Sequence, residues 1–153
     1  MVEAAVLRAL EPRDILFLCV ANSARSQMAE GIARSLAPAG VRVSSAGSEP
    51  AAVKPEAIAV LREIGIDISH HQSKSIAALP NAGTVDAVIT LCAEEVCPLF
   101  LRRVPQVHWA FPDPAAAPGG AQERLAAFRA VRDELQRRLS FLFAGHGPGG
   151  EHP

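Results

Sequence analysis

The chain has 153 residues, 49% hydrophobic and 20% charged, with a formal net charge of −1. This is the profile of one globular domain long enough to bury a core, and with no Lys/Arg run it speaks against nucleic acid or an anionic membrane as partner. No apolar stretch approaches the roughly 18 residues of a spanning helix, and residues 1–10, broken by Glu3 and Arg8, are too short for a signal peptide. Three cysteines, an odd number, point to a reducing cytoplasm and not to a structural disulfide framework.

In chain order, Ile15, Leu16, Phe17 and Leu18 form a strand-like apolar run ending at Cys19. A helix is expected over 26–37, where Met28, Ile32 and Leu36 recur at steps of four and Pro38 and Gly40 stop the pattern. Residues 41–46 read as a second strand closed by Gly47 and Pro50. Residues 55–64 read as a helix with Pro55 in its first turn and Gly65 after its end. A polar stretch over 67–74 includes His70 and His71, expected on the surface. Residues 85–91 form a third strand buried on both sides, and 106–110 a weaker fourth. Pro112, Pro114 and Pro118 stiffen the next loop, and Leu125, Phe128, Val131, Leu135, Leu139 and Leu142 mark a long helix over 121–143. The domain is therefore drawn as 1–143, with 144–153 a flexible polar tail.

Strands alternating with helices argue for an α/β fold, a parallel sheet covered on both faces by right-handed crossovers. Ligands of such folds bind beyond the carboxyl ends of the strands. Cys19 falls there, with five residues between it and Arg25-Ser26 at the helix start. Inward-facing amides of residues 20–24 (Val20, Ala21, Asn22, Ser23, Ala24) and the positive helix end would hold a tetrahedral oxyanion. Arg25 adds a bidentate fork. The same field favours thiolate over thiol, and Ser26 can donate to the sulfur. A lone cysteine in an apolar strand is more often an inert core residue; Arg25-Ser26 at this spacing reverses that reading.

Two other features carry alternatives. Cys92 and Cys97 flank Ala-Glu-Glu-Val after the third strand. They are unrelated thiols, half of a zinc site short of ligands, or a redox pair that must move to bond; Glu94 and Glu95 between them read as solvated. Asp113 between Pro112 and Pro114 is either a turn initiator or a rigidly placed acid.

Cys19-x5-Arg25-Ser26 after a strand resembles the signature loop of the low-molecular-weight protein tyrosine phosphatase superfamily. The string Asn22-Ser-Ala-Arg-Ser-Gln-Met-Ala-Glu-Gly31, with two further cysteines, is more similar to its thioredoxin-coupled arsenate reductase branch, and the likeness runs over about 14–142. The resemblance implies a three-layer αβα fold with a four-stranded parallel sheet, flavodoxin-like in appearance. It implies that Cys19 attacks arsenate, that Cys92 then attacks Cys19 and expels arsenite, and that Cys97 resolves the Cys19–Cys92 disulfide. Thioredoxin, or glutaredoxin with glutathione, would reduce the final Cys92–Cys97 bond. Asp113 matches the family's general acid. Tyrosine phosphatase relatives carry an aromatic after this Asp-Pro, where Ala115 stands here, in a chain without tyrosine; that favours a small inorganic oxyanion. Some relatives hold potassium through positions matching Asn22, Glu30 and Ser45 plus an acid. Lys74 stands where that acid would be, and is expected to replace the ion, leaving no metal or organic cofactor. The reading is an arsenate reductase; its rivals are a phosphatase using Cys19, Arg25 and Asp113, and a non-enzymatic oxyanion or redox sensor.

Overall fold

A computed structural model describes residues 2–93, 100 and 102–144, with side chains from residue 5 onward. Four parallel strands, β1 (Asp14–Cys19), β2 (Arg42–Gly47), β3 (Ala87–Thr90) and β4 (Gln106–His108), form one sheet in the order β2-β1-β3-β4. Every residue of β1 is buried, as its place between two neighbours requires. Its side chains alternate across the sheet. Ile15 and Phe17 enter the larger core with Met28, Ile32, Leu61, Phe128 and Leu135, while Leu16 and Leu18 enter a smaller one with Leu79, Val85, Val88 and Phe100.

The larger core gathers the α-helices: α1 (Val2–Leu10), α2 (Arg25–Leu36), α3 (Pro55–Arg62) and α4 (Ala121–Leu142). On α4, Phe128, Val131, Leu135, Leu139 and Leu142 are buried, the stripe expected from their spacing, and each full burial stabilises by about 1.5–3 kcal/mol. The opposite face is covered, among the described residues, by a short 3-10 turn at Ile76–Ala78 with Leu79, Val85 and Phe100. Both faces are thus covered, but with very different material.

The elements differ from the expected ones mainly at their ends. Helix α3 closes at Arg62 because Ile64 N–H turns back to Leu61 and Gly65 N–H to Arg62, tightening the last turn. Strand β4 ends at His108, although Trp109 N–H still reaches Thr90 O at 2.8 Å. Helix α1 lies outside the expected elements: Leu7 is fully buried, and Arg8 donates to Ala144 O at 3.0 Å, tying into the domain a residue expected in the tail. Glu94, Glu95, Cys97 and residues 145–153 lie outside the described residues.

Candidate active site

Strand β1 delivers Cys19, buried to 2% exposure, and α2 begins six residues later with Arg25. The intervening loop is shaped by where its carbonyls go. Val20 O accepts from Glu49 N–H at 2.9 Å, Ala21 O from Ala51 N–H at 3.0 Å and Ser23 O from Lys54 N–H at 2.8 Å. Asn22 O accepts from the Ser73 hydroxyl at 2.6 Å. In a trans peptide the next N–H points opposite to the carbonyl, so the amides of residues 21–24 face the inner side of the loop. There a cavity of about 170 Å³ is lined by Cys19, Val20, Ala21, Ser23, Ala24, Arg25 and Asp113. The N-terminus of α2 adds its positive end.

Asn22 sits in the left-handed region (φ 50°), where asparagine is better tolerated than most residues. Its side chain is the hub of the loop. Oδ1 accepts from Lys74 N–H at 3.0 Å and from Gln27 Nε2 at 3.0 Å, and Nδ2 donates to Ser26 Oγ at 2.7 Å. Ser26 Oγ in turn lies 2.9 Å from Cys19 Sγ. Gln27 Nε2 also faces Gln72 O at 3.1 Å, so Gln27 Oε1 is left to accept from His71 Nδ1 at 2.9 Å. That assigns the proton of neutral His71 to Nδ1. Burial holds His71 below the ordinary histidine range, against the pull of the Glu30 carboxylate.

The expectation that both histidines are surface residues therefore holds for exposed His70 and fails for half-buried His71. Its strand-like neighbour Ser75 bridges Gly47, whose N–H reaches Lys74 O at 2.9 Å. Gly47 does more than close the strand. A Cβ there would stand 2.4 Å from Val20 O and 3.0 Å from Cys19 O, so only glycine lets the loop lie on the end of β2. Only the resemblance, through Lys74, brings 71–75 beside 22–27; no local pattern marks Gln27, His71 or Ser73 as part of the site.

Glu30 is buried (3% exposed) and meets Ser45 Oγ at 2.5 Å, Arg34 Nη2 at 2.7 Å and Lys74 Nζ at 3.8 Å. Glu30, Ser45, Asn22 and Lys74 are thus brought together, as expected. Asp113 lies at the cavity rim and accepts from Ala115 N–H at 3.0 Å, capping a 3-10 turn at Pro114–Ala116. It therefore starts a turn and faces the cavity at once. Arg25, buried, donates from Nη1 to Phe111 O at 2.9 Å.

Cys92 follows β3, the neighbour of β1: Leu91 N–H donates to Leu18 O at 2.9 Å, so the two cysteines leave adjacent strand ends, and both belong to the same core cluster. Cys19 is a free thiol, whereas Cys92 is disulfide-bonded.

The family model for low molecular weight phosphotyrosine protein phosphatase matches residues 14–146. The chain belongs to that family. Within it, the arsenate reductase of Bacillus subtilis is 44% identical over 134 residues, covering 85% of this chain and 94% of the relative. That of Halalkalibacterium halodurans is 46% identical over 134 residues, with the same coverage. A solved arsenate reductase in its phosphate-binding state superposes with a TM-score of 0.70 at 36% identity, covering 86% of this chain and 97% of that one. The four-stranded parallel sheet is the fold that this family membership implies.

Proposed function

We propose that this phosphatase-family chain is an arsenate reductase in which Cys19 is the nucleophile and Cys92 the second thiol of a relay. The observation that carries the reading is the exit of Cys19 and Cys92 from adjacent strands, with Cys92 already in a disulfide and Cys19 free. The named relatives support it.

Cys19 thiolate attacks arsenic(V) held by the loop amides and Arg25, and an arsenic oxygen leaves as water with a proton from Asp113. Cys92 thiolate then attacks Cys19 Sγ. The S–As bond breaks with its electron pair going to arsenic, so arsenite(III) departs while two sulfurs are oxidised to a disulfide. Attack by Cys97 on Cys92 frees Cys19, and an external dithiol reduces the Cys92–Cys97 bond. Thioredoxin is the proposed donor, with glutaredoxin and glutathione as the alternative, and the need for reduced thiols places the reaction in the cytoplasm. Among the described residues no helix is long and apolar enough to cross a membrane.

The residues around Glu30 do not suit a potassium ion. Lys74 and Arg34 already set two cations against that carboxylate, so a third would be repelled. Lys74 stands in for the ion, and turnover should be indifferent to potassium. The phosphatase reading uses Cys19, Arg25 and Asp113 equally well and leaves Cys92 and Cys97 only to protect Cys19 from oxidation. Arsenate-dependent NADPH oxidation with a thioredoxin system separates the two. Cys19→Ser, Cys92→Ser and Cys97→Ser should each abolish turnover, with Cys97→Ser alone releasing one equivalent of arsenite. Full turnover in Cys92→Ser would overturn the relay.

A further inference from the structure

Arg25 is held from behind by Phe111, and Phe111 is held by a residue that the reaction above never uses. Phe111 O accepts from Arg25 Nη1 at 2.9 Å, and Phe111 N–H donates to Leu91 O at 3.2 Å, next to Cys92. Two residues on, beyond Pro112 with its fixed φ, comes Asp113. The main chain at Phe111 thus links the oxyanion fork, the proposed acid and the end of β3. The Phe111 ring is buried at 4% exposure, and the Arg138 guanidinium of α4 lies over it, with Cζ 5.0 Å from the ring centroid and 5.6 Å from that of Trp109. Both distances are within cation–π range. Arg138 is aimed by its own neighbour one turn earlier, donating from Nε to Glu134 Oε2 at 2.7 Å.

We propose that Arg138 is a positioning residue for oxyanion binding: by clamping the Phe111 and Trp109 rings it fixes the Phe111 carbonyl, and through it the Arg25 guanidinium and Asp113. The assignment rests on the Cys19 loop being the oxyanion site. Arg138 does not touch the cavity, and its action is transmitted through one side chain and one main-chain carbonyl. A planar, delocalised guanidinium spanning two rings is not matched by a compact ammonium, so lysine should restore the contact only in part.

The test measures how strongly inorganic phosphate protects Cys19 from iodoacetamide, alongside the KM for arsenate and the urea midpoint. Arg138→Met keeps an apolar stem and removes the cation. It should weaken phosphate protection and raise KM by about five- to tenfold, the scale of a partly buried cation–π contact. The alkylation rate without phosphate should stay at the wild-type value, because the Ser26 and Asn22 contacts to Cys19 do not run through Phe111. Arg138→Lys should recover part of the loss. Should Arg138→Met be too unstable to assay, Glu134→Gln removes the charge that anchors Arg138, along with the exposed Arg137 pair, and should shift protection in the same direction. Wild-type protection and KM in Arg138→Met or, failing that, in Glu134→Gln would overturn the proposal, whatever the urea midpoint does. Absence of phosphate protection in the wild-type protein would instead overturn the oxyanion site itself.

Discussion

Ser26 Oγ accepts a hydrogen bond from Asn22 Nδ2 at 2.7 Å and lies 2.9 Å from Cys19 Sγ, which leaves its hydroxyl proton available to the sulfur. An ionised Cys19 can only accept, so with the thiolate the hydroxyl is the donor of that pair. A hydrogen bond to an ionised partner contributes about 1.5–3 kcal/mol. Ser26→Ala should therefore slow alkylation of Cys19 at neutral pH by roughly 10- to 100-fold, with little change in folding midpoint. An unchanged alkylation rate would show that the hydroxyl does nothing for the nucleophile.

Gly47→Ala tests the seating of the loop. Its Cβ would meet Val20 O at 2.4 Å, and backbone on both sides leaves little room to yield. Overpacking of this kind costs about 1–3 kcal/mol, and here the displaced atoms carry the oxyanion amides. We expect a lower melting temperature together with loss of phosphate protection of Cys19. Gly83→Ala, where nothing lies within 4 Å, is the control and should leave both unchanged.

His71 makes stability depend on pH in a defined sense. Its folded-state value is lowered below 6.5, so the unfolded chain takes up a proton first. Stability should fall as pH drops from about 6.5 through the folded value, and no loss should appear above that window. Asparagine at 71 places an amide donor where Nδ1–H now stands and cannot titrate. His71→Asn should keep Cys19 reactivity and flatten the pH slope, whereas His71→Ala should lose reactivity by severalfold. Equal reactivity in the two variants would refute the Gln27 contact.

A second acid response belongs to the helices. The Arg129 and Arg132 guanidinium groups, bonded to Glu63 at 2.6–3.1 Å, lower its carboxyl to about 2. A depressed carboxyl contributes stability above its unfolded value near 4.5, and the contribution disappears as pH falls toward about 2. Glu63 is exposed, so solvent keeps the effect small. Urea titrations of Glu63→Gln should match wild type at pH 2 and fall below it at pH 5; coincident curves at both would remove the clamp between α3 and α4.

Local pattern made most of the scaffold legible. The apolar steps along α4, the continuous burial of β1 and the Cys19-x5-Arg25-Ser26 spacing are each written within a few turns of chain. What pattern does not carry is pairing at long range. His71 meets Gln27 across 44 residues, and Arg25 finds Phe111 O across 86. Helix α1 escapes for a different reason: at nine residues it offers little more than two turns of pattern, and apolar Val6 and Leu10 are exposed where Leu7 is buried. Of the two readings of Asp113, the turn is visible in its bond to Ala115 N–H, and its place on the cavity lining leaves the acid role open to test.

The clasp between Arg8 and Ala144 has a practical side. Helix α4 starts near the Asp113 turn and rises roughly 33 Å over its 22 residues, so its far end, where Arg8 reaches Ala144, lies well away from that turn. Tethering the protein to a sensor surface through that end, at exposed Ser140 for instance, keeps the attachment point away from Asp113 and the cavity that it lines.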